Sequence, residues 1–437
     1  TNMEYSVEQE PNRAIITSKW GEIETAKVKK DTQVRYLGGV KSPILTEVKK
    51  SDKVTVLEDE DDWMKVATAD GYVGYIKTKS LKNQKKEKTS RDFTEPVYSD
   101  MTEDHSINMA WHNVTNAAAN NAVQQVLAST SGLTTIAPTW FSLADTEGNI
   151  SSIADADYVN YAHTAGLEVW AVFRDFHGGT NSYDETYETL RYTSKRAKLE
   201  DQVVAAAVAA GVDGINLDFE LISSKCGVHY VQLVRELSVK CHQNNLVFSV
   251  DNYVPQSYNS HYDLKEQGIV ADYVVIMAYD EHTEGSYEAG SVASISYLQD
   301  GIEKTLKKVS ADKVIAGIPF FTRLWFETAK SPEQLSEEAG TEAASYPNKV
   351  SSKALGMEEA AQSVVNAGAT AQWDEKTQQN YAKWSADGGT YRIWLEDAQS
   401  LEAKLKVIQE NKLAGVAEWS LGKEESSVWK LISQYVN

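Results

Sequence analysis

From residue 107 onward, short runs of apolar and β-branched residues alternate with longer amphipathic stretches, and this alternation constrains the fold more than any other feature. It marks a parallel sheet built from strand-helix units. The strand candidates are Ile107 to Trp111, Thr134 to Trp140, Glu168 to Phe173, Gly214 to Glu220, Val247 to Asn252, Tyr273 to Tyr279, Val314 to Pro319 and Val416 to Ser420. Helical stretches such as Asn116 to Ala128, Ser194 to Ala210, Val228 to His242, Ile295 to Lys308 and Ala398 to Gln409 fall between them. Eight strands with intervening helices predict an α/β fold, a (β/α)8 TIM barrel over 101–437. The alternative is a doubly wound open sheet, but no G-x-G-x-x-G follows the first strand. The gap between the seventh and eighth strands is too long for a loop and one helix, so a small α+β insertion is expected at about 327–395.

Residues 1–82 read differently. Arg13 to Thr17, Gln33 to Tyr36, Lys53 to Leu57, Trp63 to Ala67 and Gly71 to Ile76 are short alternating runs, which predict a small antiparallel barrel. The stretch "DDWMKVATADGYVGYI" resembles the last hairpin of the bacterial SH3-like module. Trp63, Tyr72 and Tyr75 suit either a glycan-binding face or the barrel core, and the core is the expectation for aromatic residues at alternate strand positions. The polar segment 83–100 carries too few apolar residues to pack and reads as a linker.

The net charge of −20 is unevenly distributed. Residues 1–100 hold 18 basic and 18 acidic side chains, so the whole deficit lies in the larger domain. A field of that sign repels phosphate backbones, which excludes nucleic acid as an expected partner. No run of 18 apolar residues is present, so no membrane span is predicted. Cys226 and Cys241, if on one helix, lie too far apart for a disulfide and read as packing residues. His112, His177 and His282 are scattered singly, and neither a metal nor an organic cofactor is expected. Asn113 and Asn149 head glycosylation-type triplets that say little without a source.

The fourth strand carries the chemistry. It reads Asp213-Gly-Ile-Asn-Leu-Asp-Phe-Glu220, and alternation puts Asn216, Asp218 and Glu220 on one face. A parallel barrel strand with only a structural role would be apolar on both faces. Here two acids project inward, with Glu220 at the C-terminal mouth where barrel enzymes keep their active sites.

This octapeptide resembles the signature of family 18 glycoside hydrolases, Asp-x-x-Asp-x-Asp-x-Glu. Met277-Ala-Tyr-Asp280 resembles the family's Met-x-Tyr-Asp motif, and Trp419 occupies the place of its pocket-floor tryptophan. Ala137-Pro-Thr-Trp-Phe141 and Pro319-Phe-Phe-Thr-Arg-Leu-Trp325 resemble its bacterial cell-wall and spore branch. The resemblance implies Glu220 as the acid that protonates the leaving oxygen, Asp218 as the group that orients the substrate acetamide and Tyr279 as a donor to its carbonyl. Substrate-binding candidates are Trp419, Asn216, Met277, Asp280, Arg323, Trp111 and Trp140, with Trp325 a further aromatic beyond a strand end. The signature's second Asp is Asn216 here, so Asp218 is expected to be held by amide hydrogen bonds rather than by a deeper carboxylate. Asp213 is expected to fix the strand entry.

The implied activity is hydrolysis of β-1,4 linkages next to N-acetylglucosamine by a substrate-assisted retaining mechanism. Peptidoglycan is the first choice of polymer, with the SH3-like module available to bind cell wall. Chitin or the core of N-glycans are rival substrates, and a non-catalytic glycan-binding protein is the alternative class. The expected location is extracellular, at the cell surface or on spores, with the export signal absent from this sequence.

Overall fold

A computed structural model describes residues 22–88 and 100–436. The chain divides into two compact units, residues 1–97 and 98–437. Among the described residues no helix is long and apolar enough to cross a membrane.

The described residues of the N-terminal unit form an antiparallel sheet of seven strands. Its spatial order is Ile44–Val48, Thr32–Arg35, Val73–Lys77, Trp63–Ala67, Lys53–Glu60, Glu22–Val28 and Leu81–Lys88. The expected strand Arg13 to Thr17 lies outside the described residues. Two expectations need correction. The core of this unit is formed by aliphatic residues and Met64, among them Val28, Val34, Val54, Val66 and Ile76. Trp63, Tyr72 and Tyr75 stand half-buried outside it. On strand Trp63–Ala67, Met64 and Val66 take the inward positions, which turns Trp63 to the opposite face. Residues 83–88, read as linker, continue a strand that pairs with Glu22–Val28. Beyond Leu81, which enters the core, that strand has no apolar face. Backbone pairing holds it, supplemented by ion pairs such as Lys86 with Glu22 and Lys53 with Glu87.

The second unit is a closed barrel of eight parallel strands: β1 (Ile107–His112), β2 (Thr135–Leu143), β3 (Glu168–Arg174), β4 (Gly214–Asp218), β5 (Val247–Tyr253), β6 (Tyr273–Met277), β7 (Val314–Pro319) and β8 (Gly415–Trp419). Pairing of β8 with β1, and of β1 with β2, closes the ring. The pleat divides each strand between two cores. Ile215 and Leu217 of β4 join the large core between barrel and helices, while Met109, Trp111, Val172 and Val275 pack inside the barrel. Helices Thr193–Ala210, Gly227–Gln243, Ile295–Leu306 and Ala398–Glu410 form part of the outer layer. Cys226 and Cys241 are both buried free thiols beside or within one of these helices.

The insertion between β7 and β8 begins earlier than position 327. Strand Phe321–Ala329 follows β7 almost at once and lies second in a five-stranded antiparallel sheet that ends with Gly389–Leu395 in sequence. Helix Met357–Asn366 covers the sheet through Ala360 and Val364, which pack with Leu355, Ala382 and Ile393. A polar clasp joins this insertion to the following helix. Lys404 and Glu396 are both fully buried and paired at 3.0 Å, and Gln379 and Ser400 donate further hydrogen bonds to the same carboxylate. Removing one partner of such a pair strands a charge in a dry site. Lys404→Met should therefore cost about 3–5 kcal/mol of stability, read by denaturant titration. A change below about 1 kcal/mol would mean that the clasp is solvated.

Candidate active site

A cavity of about 180 Å³ opens among the β1, β3, β4, β5, β6 and β8 strand ends. Its wall includes Trp111, Arg174, Asp218, Glu220, Asp251, Tyr253, Met277, Tyr279, Asp280 and Trp419. The structure thus brings Glu220, Asp218, Tyr279, Trp419, Met277, Asp280 and Trp111 together, as residues dispersed over more than 300 positions.

Glu220 sits just past the end of β4, and its backbone is clamped. The Glu220 N–H donates to Asp175 Oδ1 at 2.8 Å, and the Leu221 N–H donates to Asp175 Oδ2 at 3.0 Å. Thr186 Oγ1 donates to the same Asp175 carboxylate, which is fully buried. Burial pushes the Asp175 carboxyl up to about 7 against the pull of these donors. The Glu220 side chain accepts a hydrogen bond from the Tyr253 hydroxyl. Burial raises the Glu220 carboxyl above its usual range, Tyr253 draws it back, and the negative field of Asp280 raises it further.

Asp218 lies deeper. Its carboxyl is raised well above the usual carboxylate range, first by desolvation and then by Glu220, Asp251 and Asp175, with Arg174 opposing. Asp218 Oδ1 is buried without a hydrogen-bond partner among the described residues. The expected amide support for Asp218 is therefore corrected. The Asn216 amide nitrogen donates instead to Ser249 Oγ at 2.9 Å and to Asp251 Oδ1 at 2.8 Å, and its oxygen accepts from Trp111 Nε1 at 3.0 Å. Asn216 is fully buried beneath the cavity and does not line it.

Three aromatic rings form one side. Trp111 meets Tyr279 edge-on at 6.4 Å and Trp419 at 6.0 Å. The Lys423 ammonium stands 6.0 Å from the Trp419 ring and 5.0 Å from Phe321. Desolvation pushes its pKa down.

Other candidates fall elsewhere. Trp140 is 2% exposed, donates from its indole to Asn120 Oδ1 and packs edge-on against Tyr158, so it belongs to the core outside the barrel. Trp325 is buried in the insertion, bonded to the Gly290 carbonyl. Arg323 lies on the same strand, donates to Ser352 Oγ and acts on the site through its charge, which lowers Asp280 against desolvation. His112 bonds the Tyr158 hydroxyl in the core, where burial brings it down to about 4. His282 bonds the Ser291 carbonyl, and His177 is part of the cavity wall. Asp213 joins neighbouring elements at the strand entry by accepting from Val169 N–H and His163 Nε2, each at 2.8 Å.

Sequence reasoning missed Asp175, Arg174, Asp251 and Tyr253. A signal for Asp251 was present: in Val247-Phe-Ser-Val-Asp251 the polar Ser249 and Asp251 alternate with the apolar Phe248 and Val250, as on β4, whereas Asn252 breaks the pattern before Tyr253.

The chain is similar to several known proteins. It is 26% identical over 295 residues to the uncharacterized glycosylase YvbX of Bacillus subtilis (strain 168), covering 65% of this chain and 80% of that protein. It is 27% identical over 256 residues to the cortical fragment-lytic enzyme of the same organism, covering 56% of this chain and 54% of that enzyme's length. The crystal structure of the spore cortex-lytic enzyme SleL of Bacillus megaterium QM B1551 shares the fold, with a TM-score of 0.62 at 19% identity over 84% of this chain and 78% of that one. Residues 27–82 match the bacterial SH3 domain. Residues 119–424 match glycosyl hydrolases family 18, and this chain, a glycosidase, belongs to that family.

Proposed function

We propose that the protein hydrolyses β-1,4 linkages adjacent to N-acetylglucosamine, with peptidoglycan as the polymer. The observation that carries the reading is Glu220, half-buried at the barrel mouth, with Asp218 two residues before it on the same face and Tyr279 and Trp419 in the same cavity.

Glycoside cleavage needs a proton on the departing oxygen. Glu220 keeps its proton to higher pH than an exposed glutamate because burial removes the hydration of its ionised form. In the substrate-assisted mechanism the 2-acetamido oxygen of the sugar attacks its own anomeric carbon as the bond to the protonated leaving oxygen breaks, forming a cyclic oxazolinium-like intermediate. Its opening by water is a second inversion, so the overall outcome is retention. Asp218 accepts the acetamido N–H and offsets the positive charge that develops there. The Tyr279 hydroxyl donates to the acetamido oxygen and directs it at the anomeric carbon. Trp419 is the apolar floor for the sugar ring. Glu220, now ionised, takes a proton from the water that opens the intermediate.

Peptidoglycan is favoured over chitin and N-glycans by the SH3-type module in the same chain and by the similarity to proteins named for cortex lysis. The place of action is accordingly the cell wall or spore, outside the cytoplasm, with the SH3-like unit as a wall-binding element. A digestion panel of peptidoglycan, chitin oligomers and an N-glycoprotein, with products sized by mass, tests this. Muropeptides ending in reducing N-acetylglucosamine are expected as the dominant products. Release of chitobiose units alone, with intact peptidoglycan, would reassign the polymer while leaving the chemistry in place.

A further inference from the structure

Strands β4 and β5 pair in parallel with Asn216 beside Ser249 and Leu217 beside Val250. Carried one rung further, that register sets Asp251 next to Asp218, on strands separated by about 5 Å. Both side chains point into the barrel and both line the cavity. Asp251 is 2% exposed. Its orientation is fixed from below, because Asn216 gives its oxygen to the Trp111 indole and so must turn its nitrogen toward Ser249 and Asp251. The Trp111 indole also faces the Asp251 carboxylate, while Asp218 Oδ1 has no hydrogen-bond partner among the described residues.

Two adjacent carboxyls in a dry site do not both ionise near neutrality, since the second charge would face the first without water between them. We propose that Asp251 is the positioning carboxylate of this site, holding one proton in common with Asp218, so that the acid absent from β4 at Asn216 has been transposed to the neighbouring strand. The pair then carries one negative charge. Asp251 does not itself touch the reacting atoms; it sets the orientation and charge of Asp218. Its environment agrees: burial and Glu220 push the Asp251 carboxyl up to about 8, against the Asn216 amide and Trp111. The other titratable or charged groups facing the pair are Glu220 just past β4, Arg174 and Asp175 at the end of β3, Tyr230 on helix Gly227–Gln243, Tyr253 on β5, and Tyr279 and Asp280 after β6.

The inference rests on the role given to Asp218 above, and its test separates the two. A shared proton stabilises the singly charged pair, so Asp251→Asn should move the acid limb of the kcat–pH profile upward by about one unit or more. KM on a chito-oligosaccharide should change little while kcat falls. The exchange variant N216D/D251N returns an acid to β4 with the same hydrogen-bonding groups and charge count, and should restore the limb and most of kcat. A purely structural Asp251 would give a lower melting temperature with an unmoved acid limb, and that result overturns the proposal. So does an exchange variant that folds, by circular dichroism, yet works no better than D251N. If D251N itself does not fold, comparison of the exchange variant with the wild type decides alone. An active Glu220→Gln enzyme would instead remove the functional reading beneath it.

Discussion

Glu220→Gln should lower kcat on a chito-oligosaccharide by roughly 10²–10⁴-fold, the usual contribution of a positioned general acid, and leave the fold intact. The amide is isosteric with the carboxylic acid and keeps an oxygen for the Tyr253 hydroxyl. The Asp175 clamp acts on backbone N–H groups, so it survives the substitution. What disappears is the proton. The pH dependence has a definite sign. Because the folded pKa of Glu220 is raised, activity that needs the protonated form is lost on an alkaline limb lying above the ordinary glutamate range of about 4.3. The same shift makes the wild-type protein lose stability as pH rises from the unfolded pKa through the folded one. The Gln variant has no such group to ionise, so its melting temperature relative to wild type should increase with pH across that window. Initial rates and melting curves measured on one preparation check both statements, and full retained activity would sink the assignment of the acid.

Replacing the 2-acetamido group of the substrate with hydroxyl should have a larger effect, about 10⁵-fold or more in turnover. An internal nucleophile held at the anomeric carbon carries an effective concentration of that order, equivalent to roughly 7 kcal/mol of barrier. Asp218 and Tyr279 line the same cavity, and in the proposed mechanism a hydroxyl would offer neither an N–H for the one nor a carbonyl for the other. The comparison should use matched oligosaccharides, with inhibition by the hydroxyl compound reporting its binding. Turnover of that compound within tenfold of the acetamido substrate would show that a protein carboxylate is the nucleophile.

Much of this arrangement is legible in the sequence, and the reason is periodicity. Period-2 alternation on β4 identified Asp218 and Glu220, and the strand-helix rhythm set the barrel around them. Where sequence and structure part, residue type is a poor guide to position. Trp140 is a substrate-binding candidate by residue type, and Trp325 a further aromatic beyond a strand end, yet both indoles are spent on internal hydrogen bonds. Asp175 was invisible for a different reason. It follows β3 in an unremarkable Phe-Arg-Asp, and its importance comes from the chain reversal that brings Glu220 N–H to it, a long-range contact that no local pattern encodes. Asp251 lies between these cases: its alternation was readable, but pairing with Asn216 depends on strand register.

Strand Leu81–Lys88, whose residues from 83 onward read as linker in the sequence, forms one border of the N-terminal sheet among the described residues. A border strand offers unpaired amide and carbonyl groups to any passing chain, and the hazard grows with its apolar content. This one presents Lys82, Lys85, Lys86, Glu87 and Lys88, all of it too highly charged for a second molecule to stack against without confronting like charge. The composition that hid the strand from a reader of sequence also guards the module against sticking to its own copies.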